Sequence, residues 1–178
     1  EPSGELQGVV GIHVDDLLIC GQGPVFDKAM KTLESRLNFG TRKYGNFTYC
    51  GLQIEQDKRT KQIRLHQNTY IENLQPMSVK GLADGKPIPK GEPFTAYRGL
   101  LGGLSWSAIN TRPDIAFDVS WLASRGEAAT GADAKFANKV LRKIKHDYVS
   151  FVFYKISQHI SQWRLVTYHD AGWATRPS

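Results

Sequence analysis

The chain has 178 residues, 40% of them apolar, enough for one or two small domains with a core. No run approaches the ~18 apolar residues that a membrane span needs, and residues 1 to 5 have neither the basic nor the apolar region of a signal peptide. A net charge of +6 and a pI near 9.3 suit a polyanionic partner without proving one.

In chain order, Val9-Val10 with Ile12 and Val14, then Leu17-Leu18-Ile19, are short apolar runs flanking a bare carboxylate pair, Asp15 and Asp16. They predict a β-hairpin with the acidic pair at its turn. Asn-Gly or Asp-Gly would make a turn at lower cost, because adjacent carboxylates repel and raise one another's pKa. A divalent cation relieves that conflict, and Mg²⁺ takes hard oxygen ligands. The plain alternative is a solvated acidic turn. Gly21-Gln22-Gly23-Pro24 then breaks the pattern, and Phe26, Met30, Leu33 and Leu37 give an amphipathic helix over 25 to 38.

Residues 47 to 56 and 61 to 65 read as two strands joined by the charged turn Asp57-Lys58-Arg59-Thr60. A helix over 67 to 75 ends at Pro76. Residues 77 to 93, rich in Gly and Pro, read as a mobile linker. The next helix, 95 to 110, holds Gly99, Gly102 and Gly103, each costing ~1 kcal/mol relative to Ala. Such cost suggests close packing against another backbone, with Leu101, Leu104 and Ala108 buried. Thr111 reads as an N-cap with Asp114 in the capping-box position, followed by the stripe Ile115, Val119, Leu122 up to Arg125-Gly126. A helix over 132 to 145 has Phe136, Val140 and Ile144 inward. Its basic residues Lys135, Lys139, Arg142 and Lys143 form either a solvated face or a phosphate-tracking one. Residues 149 to 155 and 163 to 169 read as paired strands. Cys20 and Cys50, without metal-ligand spacing, read as small core residues.

His13-Val14-Asp15-Asp16-Leu17-Leu18 resembles the Tyr-x-Asp-Asp hairpin of reverse transcriptases, in the form found in copia-type retrotransposon polyproteins. Four later segments match that family in order. Tyr49-Cys50-Gly51-Leu52-Gln53-Ile54 is similar to its Phe-Leu-Gly-Ile-x-Ile strand, and Gln67-Asn68-Thr69-Tyr70-Ile71 with Leu74 to the helix that follows. Tyr97-Arg98-Gly99-Leu100-Leu101-Gly102-Gly103-Leu104 with Asn110-Thr111-Arg112-Pro113-Asp114-Ile115 resembles its helical pair. Tyr168-His169-Asp170-Ala171-Gly172-Trp173-Ala174 resembles the opening of RNase H. Family members usually carry Tyr in place of His13, and many carry an acidic residue in place of Gly172.

The resemblance implies an α+β fold in three parts. Residues 1–57 would be the late palm of the polymerase, a hairpin and helix. Residues 58–150 would form thumb or connection helices with a linker over 77–93, and 151–178 the first strands of a truncated RNase H-like sheet. It implies metal and catalytic roles for Asp15, Asp16 and Asp170 with Mg²⁺ or Mn²⁺. Nucleic-acid contacts would come from His13, Val14, Gly51, Leu52, Lys135, Lys139, Arg142 and Lys143. Gly51 would allow close backbone approach to a primer, its plain alternative being a strand bulge. Expected partners are an RNA template with a DNA primer, or an RNA–DNA hybrid, and the rest of a polyprotein. The expected location is a cytoplasmic virus-like particle or the nucleus, without a membrane. The family's first catalytic Asp lies upstream of the hairpin, where only Glu1 and Glu5 stand here. The expectation is therefore a chain that does not polymerise DNA alone, or a non-catalytic nucleic-acid-binding relic. An unrelated α/β protein with an incidental Asp pair is the remaining alternative.

Overall fold

The computed structural model describes residues 6–155 and Arg164, and their fold is α+β, with two antiparallel sheets and a helical core. Strands β1 (Gly8–His13) and β2 (Asp16–Gly21) pair from Gly8↔Gly21 to His13↔Asp16. Helix α1 (Pro24–Arg36) opens on a proline whose fixed φ suits a first helical position. It seats Phe26 over the opposed glycines, where a Cβ on Gly8 or Gly21 would come within 2.3 Å of the ring. Two glycines are therefore what lets this helix lie against the hairpin. No residue of α1 is buried.

The second sheet runs β3 (Phe47–Tyr49), β4 (Leu52–Gln56), β5 (Ile63–His66), β6 (Phe151–Phe153), all antiparallel neighbours. The single strand expected over 47 to 56 is two strands. Cys50 and Gly51 both take positive φ, 50° and 76°, and close a two-residue turn of the hairpin type between Tyr49 and Leu52. Strand β6 pairs with β5, Ile63 opposite Phe153. The expected partner strand at 163 to 169 lies outside the described residues. The boundaries expected at 57/58 and 150/151 thus fall inside one continuous sheet, the first of them in the β4–β5 turn.

The core belongs to helices α2 (Asn68–Asn73), α3 (Glu92–Asn110), α4 (Ala116–Ser124) and α5 (Gly131–His146). Leu104, Ile115, Leu122 and Ile144 are fully enclosed, as their helical spacing predicts. The segment expected as a free linker is irregular but docked. Met77 and Ile88 are buried, the Met77 N–H donates to Asn138 Oδ1 at 3.0 Å, and Asn138 Nδ2 donates back to the Met77 carbonyl at 2.9 Å. Pro87 bridges to Thr130, and the Gly131 N–H reaches the Ala83 carbonyl. Two apolar anchors and one reciprocal amide clamp overcome a Gly- and Pro-rich composition.

The expected capping box at Thr111 and Asp114 is absent. Thr111 ends α3, its hydroxyl donating to Gln67 Oε1 at 2.9 Å, and Pro113–Ile115 forms a single 3₁₀ turn before α4. The capping box is Thr130 with Asp133, at the start of α5. Asp114 instead holds the buried Arg112, whose Nε and Nη2 each donate to it at 2.8 Å. Nη1 of Arg112 donates to the carbonyls of Ile144 and Asp147, so this guanidinium caps the negative end of α5. Neither cysteine is in the core: Cys20 is exposed and Cys50 half-buried. Among the described residues no helix is long and apolar enough to cross a membrane.

Candidate nucleic-acid interface

The β1–β2 turn has Val14 and Asp15 as its two loop residues, with Asp16 the first residue of β2 opposite His13. One carboxylate therefore stands on the loop and the other on the closing pair, rather than both in the turn. Val14 has a φ of 55° and is 87% exposed. A turn with positive φ at its first loop position favours Gly. A β-branched residue there costs of order 1–3 kcal/mol, strain of the kind that clusters at functional sites. Both Asp15 and Asp16 are exposed, and among the described residues neither side-chain carboxylate has an ion-pair or hydrogen-bond partner. Two adjacent free carboxylates suit one Mg²⁺ that keeps most of its waters. Among the described residues no group of three or more His, Cys, Asp or Glu converges, so a second ion lacks further ligands from them. Asp170 lies outside the described residues.

The acidic tip abuts the other hairpin. The rings of His13 and Tyr49 meet edge to face, their centroids 6.4 Å apart. The Tyr49 hydroxyl is held above its ordinary value by partial burial first, then by Cys50 and by the charge of Asp16. Leu52 faces Tyr49 across the Cys50–Gly51 turn and is half-buried. Gly51 is neither a bulge nor a flat strand residue; its role is the left-handed turn that brings Tyr49 and Leu52 together. A Cβ at Gly51 would lie 3.8 Å from Trp106 Nε1, so the turn rests beside the indole of α3.

Trp106 leads onto a face the sequence reading missed. Gly99, Gly102, Trp106 and Ile109 share the outer face of α3 at helical spacing, opposite Leu100, Leu104 and Ala108. Among the described residues, a Cβ at Gly99 or Gly102 would meet nothing within 4 Å. Only Gly103 is packed as the sequence suggested, with Leu74 and the Tyr70 hydroxyl over it. Two open glycines in a helix interior each forgo about 1 kcal/mol with no internal contact in return. Arg98 is exposed beside them. The signal was legible as Gly99-x-x-Gly102-x-x-x-Trp106, but sequence alone does not say which side of the helix is covered.

The basic stripe of α5 is partly engaged within the chain. Lys135 pairs with Asp84 at 2.7 Å and Lys143 with Asp114 at 3.7 Å. Lys139 and Arg142 are exposed, with no ion pair among the described residues. Because α3 packs on its neighbours through its buried side, this stripe is not brought to the Gly102 face. Of the nominated residues, His13, Val14, Asp15, Asp16, Gly51 and Leu52 gather around the two hairpin tips, and the four cations stand apart. The chain finds no match among models of known protein families, among curated proteins or among solved structures.

Proposed function

We propose that this chain is part of a copia-type reverse transcriptase, comprising late palm, thumb or connection helices and the start of an RNase H-like unit. In this reading it binds an RNA–DNA hybrid or a template–primer duplex, within a larger polyprotein, in a virus-like particle or the nucleus. The observation that supports it is continuity. Contacts run from the free Asp15–Asp16 tip through His13 and Tyr49 to the Gly51 turn and Trp106, then along the uncovered glycine face of α3. Bare glycine suits the close approach of a sugar–phosphate backbone. An aromatic edge and Arg98 suit a sugar or base and a phosphate. The carboxylate tip repels a nucleic-acid end unless a dication stands between them. Mg²⁺ held by Asp15 and Asp16 would stabilise charge at the attacking and leaving oxygens of nucleotidyl transfer.

The test is anisotropy of a labelled RNA–DNA hybrid, titrated with and without Mg²⁺. Binding should weaken at least about tenfold between about 50 and 200 mM salt. It should tighten with Mg²⁺, and Asp15→Asn should abolish the Mg²⁺ effect. Failure to bind any hybrid at low salt would sink the proposal. The second reading, a nucleic-acid-binding relic without catalysis, is favoured by the lack of further ligands around Asp15 and Asp16 among the described residues. It predicts hybrid binding indifferent to Asp15→Asn, whereas primer extension by this chain alone, with Mg²⁺ or Mn²⁺, is expected under neither reading.

A further inference from the structure

At the end of the second sheet away from the Cys50–Gly51 turn, roughly 15 Å along β4, lies a cavity of about 570 Å³. Its size is ordinary for a small-molecule site. Its wall begins with Tyr44, a residue 82% exposed, and with Gly45 and Asn46 ahead of β3. The other wall is the β4–β5 turn with Arg64 of β5. This site is separate from the α3 face, and nothing in the proposed function depends on it.

The polar groups around the cavity divide into engaged and free. The Gln56 N–H donates to Asn46 Oδ1 at 3.2 Å and to the Gly45 carbonyl at 3.1 Å, which fixes the mouth. Asp57 Oδ1 accepts from the Arg59 and Thr60 N–H groups and from the Thr60 hydroxyl, at 2.9, 2.6 and 2.8 Å. Those bonds turn the carboxylate into its own loop and hold its pKa below the ordinary value. Glu55 lies 3.3 Å from His66 Nε2, an ion pair only when that imidazole is protonated. Lys58 and Arg64 have no ion pair among the described residues, and Arg59 and Lys61 add positive charge to the same turn. Over residues 55 to 64, four cations (Lys58, Arg59, Lys61, Arg64) thus outnumber two carboxylates (Glu55, Asp57), of which Asp57 is bonded within its own loop. The side-chain amides of Asn46 (through Nδ2) and Gln62 remain as hydrogen-bonding groups.

A bare aromatic ring, unpaired cations and two amides in one cavity match a planar heterocycle joined to a phosphate. We propose that this cavity binds a nucleoside monophosphate unit, Tyr44 stacking on the base while Lys58 and Arg64 hold the phosphate. The unit can come from a free mononucleotide or from a nucleotide within a single strand.

The experiment follows amide NMR shifts of the full chain on titration with AMP, adenosine, inorganic phosphate and a short oligoadenylate. AMP should shift Asn46, Gln56, Asp57 and Gln62, with adenosine and phosphate each at least about tenfold weaker. Arg64→Gln and Tyr44→Ala should each weaken AMP about tenfold or more, Tyr44→Phe should retain it, and Trp106→Ala should leave it unchanged. Oligoadenylate binding tighter than AMP identifies a strand unit as the source; the reverse identifies a free nucleotide. Either supports the site. Absence of shifts at about 5 mM AMP would overturn it. Phosphate binding as tightly as AMP, or AMP binding that survives Arg64→Gln and Tyr44→Ala in folded protein, would overturn it equally. Loss of this site with hybrid binding intact would leave the α3 face untouched.

Discussion

The first 65 residues and the helices after them dispose of their apolar side chains in opposite ways. Among the described residues every buried one lies between His66 and Ile144, while Ile12 in the first hairpin is 74% exposed and α1 buries nothing fully. The carboxylate pair therefore stands on the part of the molecule with no enclosed core, next to a helical part that has one. Substitutions in the helical core should move stability, and substitutions of the two tip carboxylates should move binding alone.

The largest effect belongs to Arg112, 1% exposed and bonded to Asp114 and to two carbonyls at the end of α5. Arg112→Ala should cost about 3–5 kcal/mol in denaturant unfolding, because the partners are left buried and unpaired. Asp15→Asn should stay within about 0.5 kcal/mol of the parent chain. The same pair sets an acid response. The Arg112 hydrogen bonds, opposed in part by burial, hold the Asp114 carboxyl below its ordinary value of 3.8. Its contribution is then complete above that value and is lost as pH falls through the lower, folded-state value. Unfolding curves below the ordinary carboxyl value should show this loss, and Asp114→Asn should remove that component.

Glycines give a smaller contrast within the helical part. A Cβ at Gly131 would lie 2.6 Å from the Ala83 carbonyl oxygen, and backbone cannot step aside cheaply. Gly131→Ala should destabilise by about 1–3 kcal/mol. Gly102 faces open space, so Gly102→Ala should stabilise by up to about 1 kcal/mol while weakening hybrid binding several-fold. A variant that is more stable and binds worse would separate the outer face of α3 from the core it is built on. Equal binding by Gly102→Ala and parent would remove α3 from the interface. The smallest effects should come from α5. Lys135→Ala and Lys143→Ala, each losing an exposed ion pair worth at most ~1 kcal/mol, should change hybrid affinity less than Lys139→Ala or Arg142→Ala.

Periodicity made most of this fold legible. Phe136, Val140 and Ile144 mark α5 at helical spacing, and the short apolar runs flanking Asp15 and Asp16 mark the first hairpin. Where the sequence misled, the deciding contacts are distant in the chain. Thr111-Arg112-Pro113-Asp114 and Thr130-Gly131-Ala132-Asp133 share one capping pattern. Only the second is a cap, because Arg112 takes Asp114 and Gln67 takes Thr111. Cys50-Gly51 lacks the Asn or Asp that announces a hairpin turn, so two strands read as one. A Gly- and Pro-rich stretch looked free because Met77 and Ile88 find their cover on elements far along the chain. The hairpin tips were readable as chemistry, whereas the uncovered side of α3 required the fold.

Mn²⁺ added to the hybrid-bound chain offers the most direct measurement, since its unpaired electrons broaden nearby amide signals. The account predicts broadening centred on His13, Val14, Asp15 and Asp16 and extending to Tyr49, abolished by Asp15→Asn with the fold intact. Broadening centred elsewhere, or unchanged in Asp15→Asn, would contradict it.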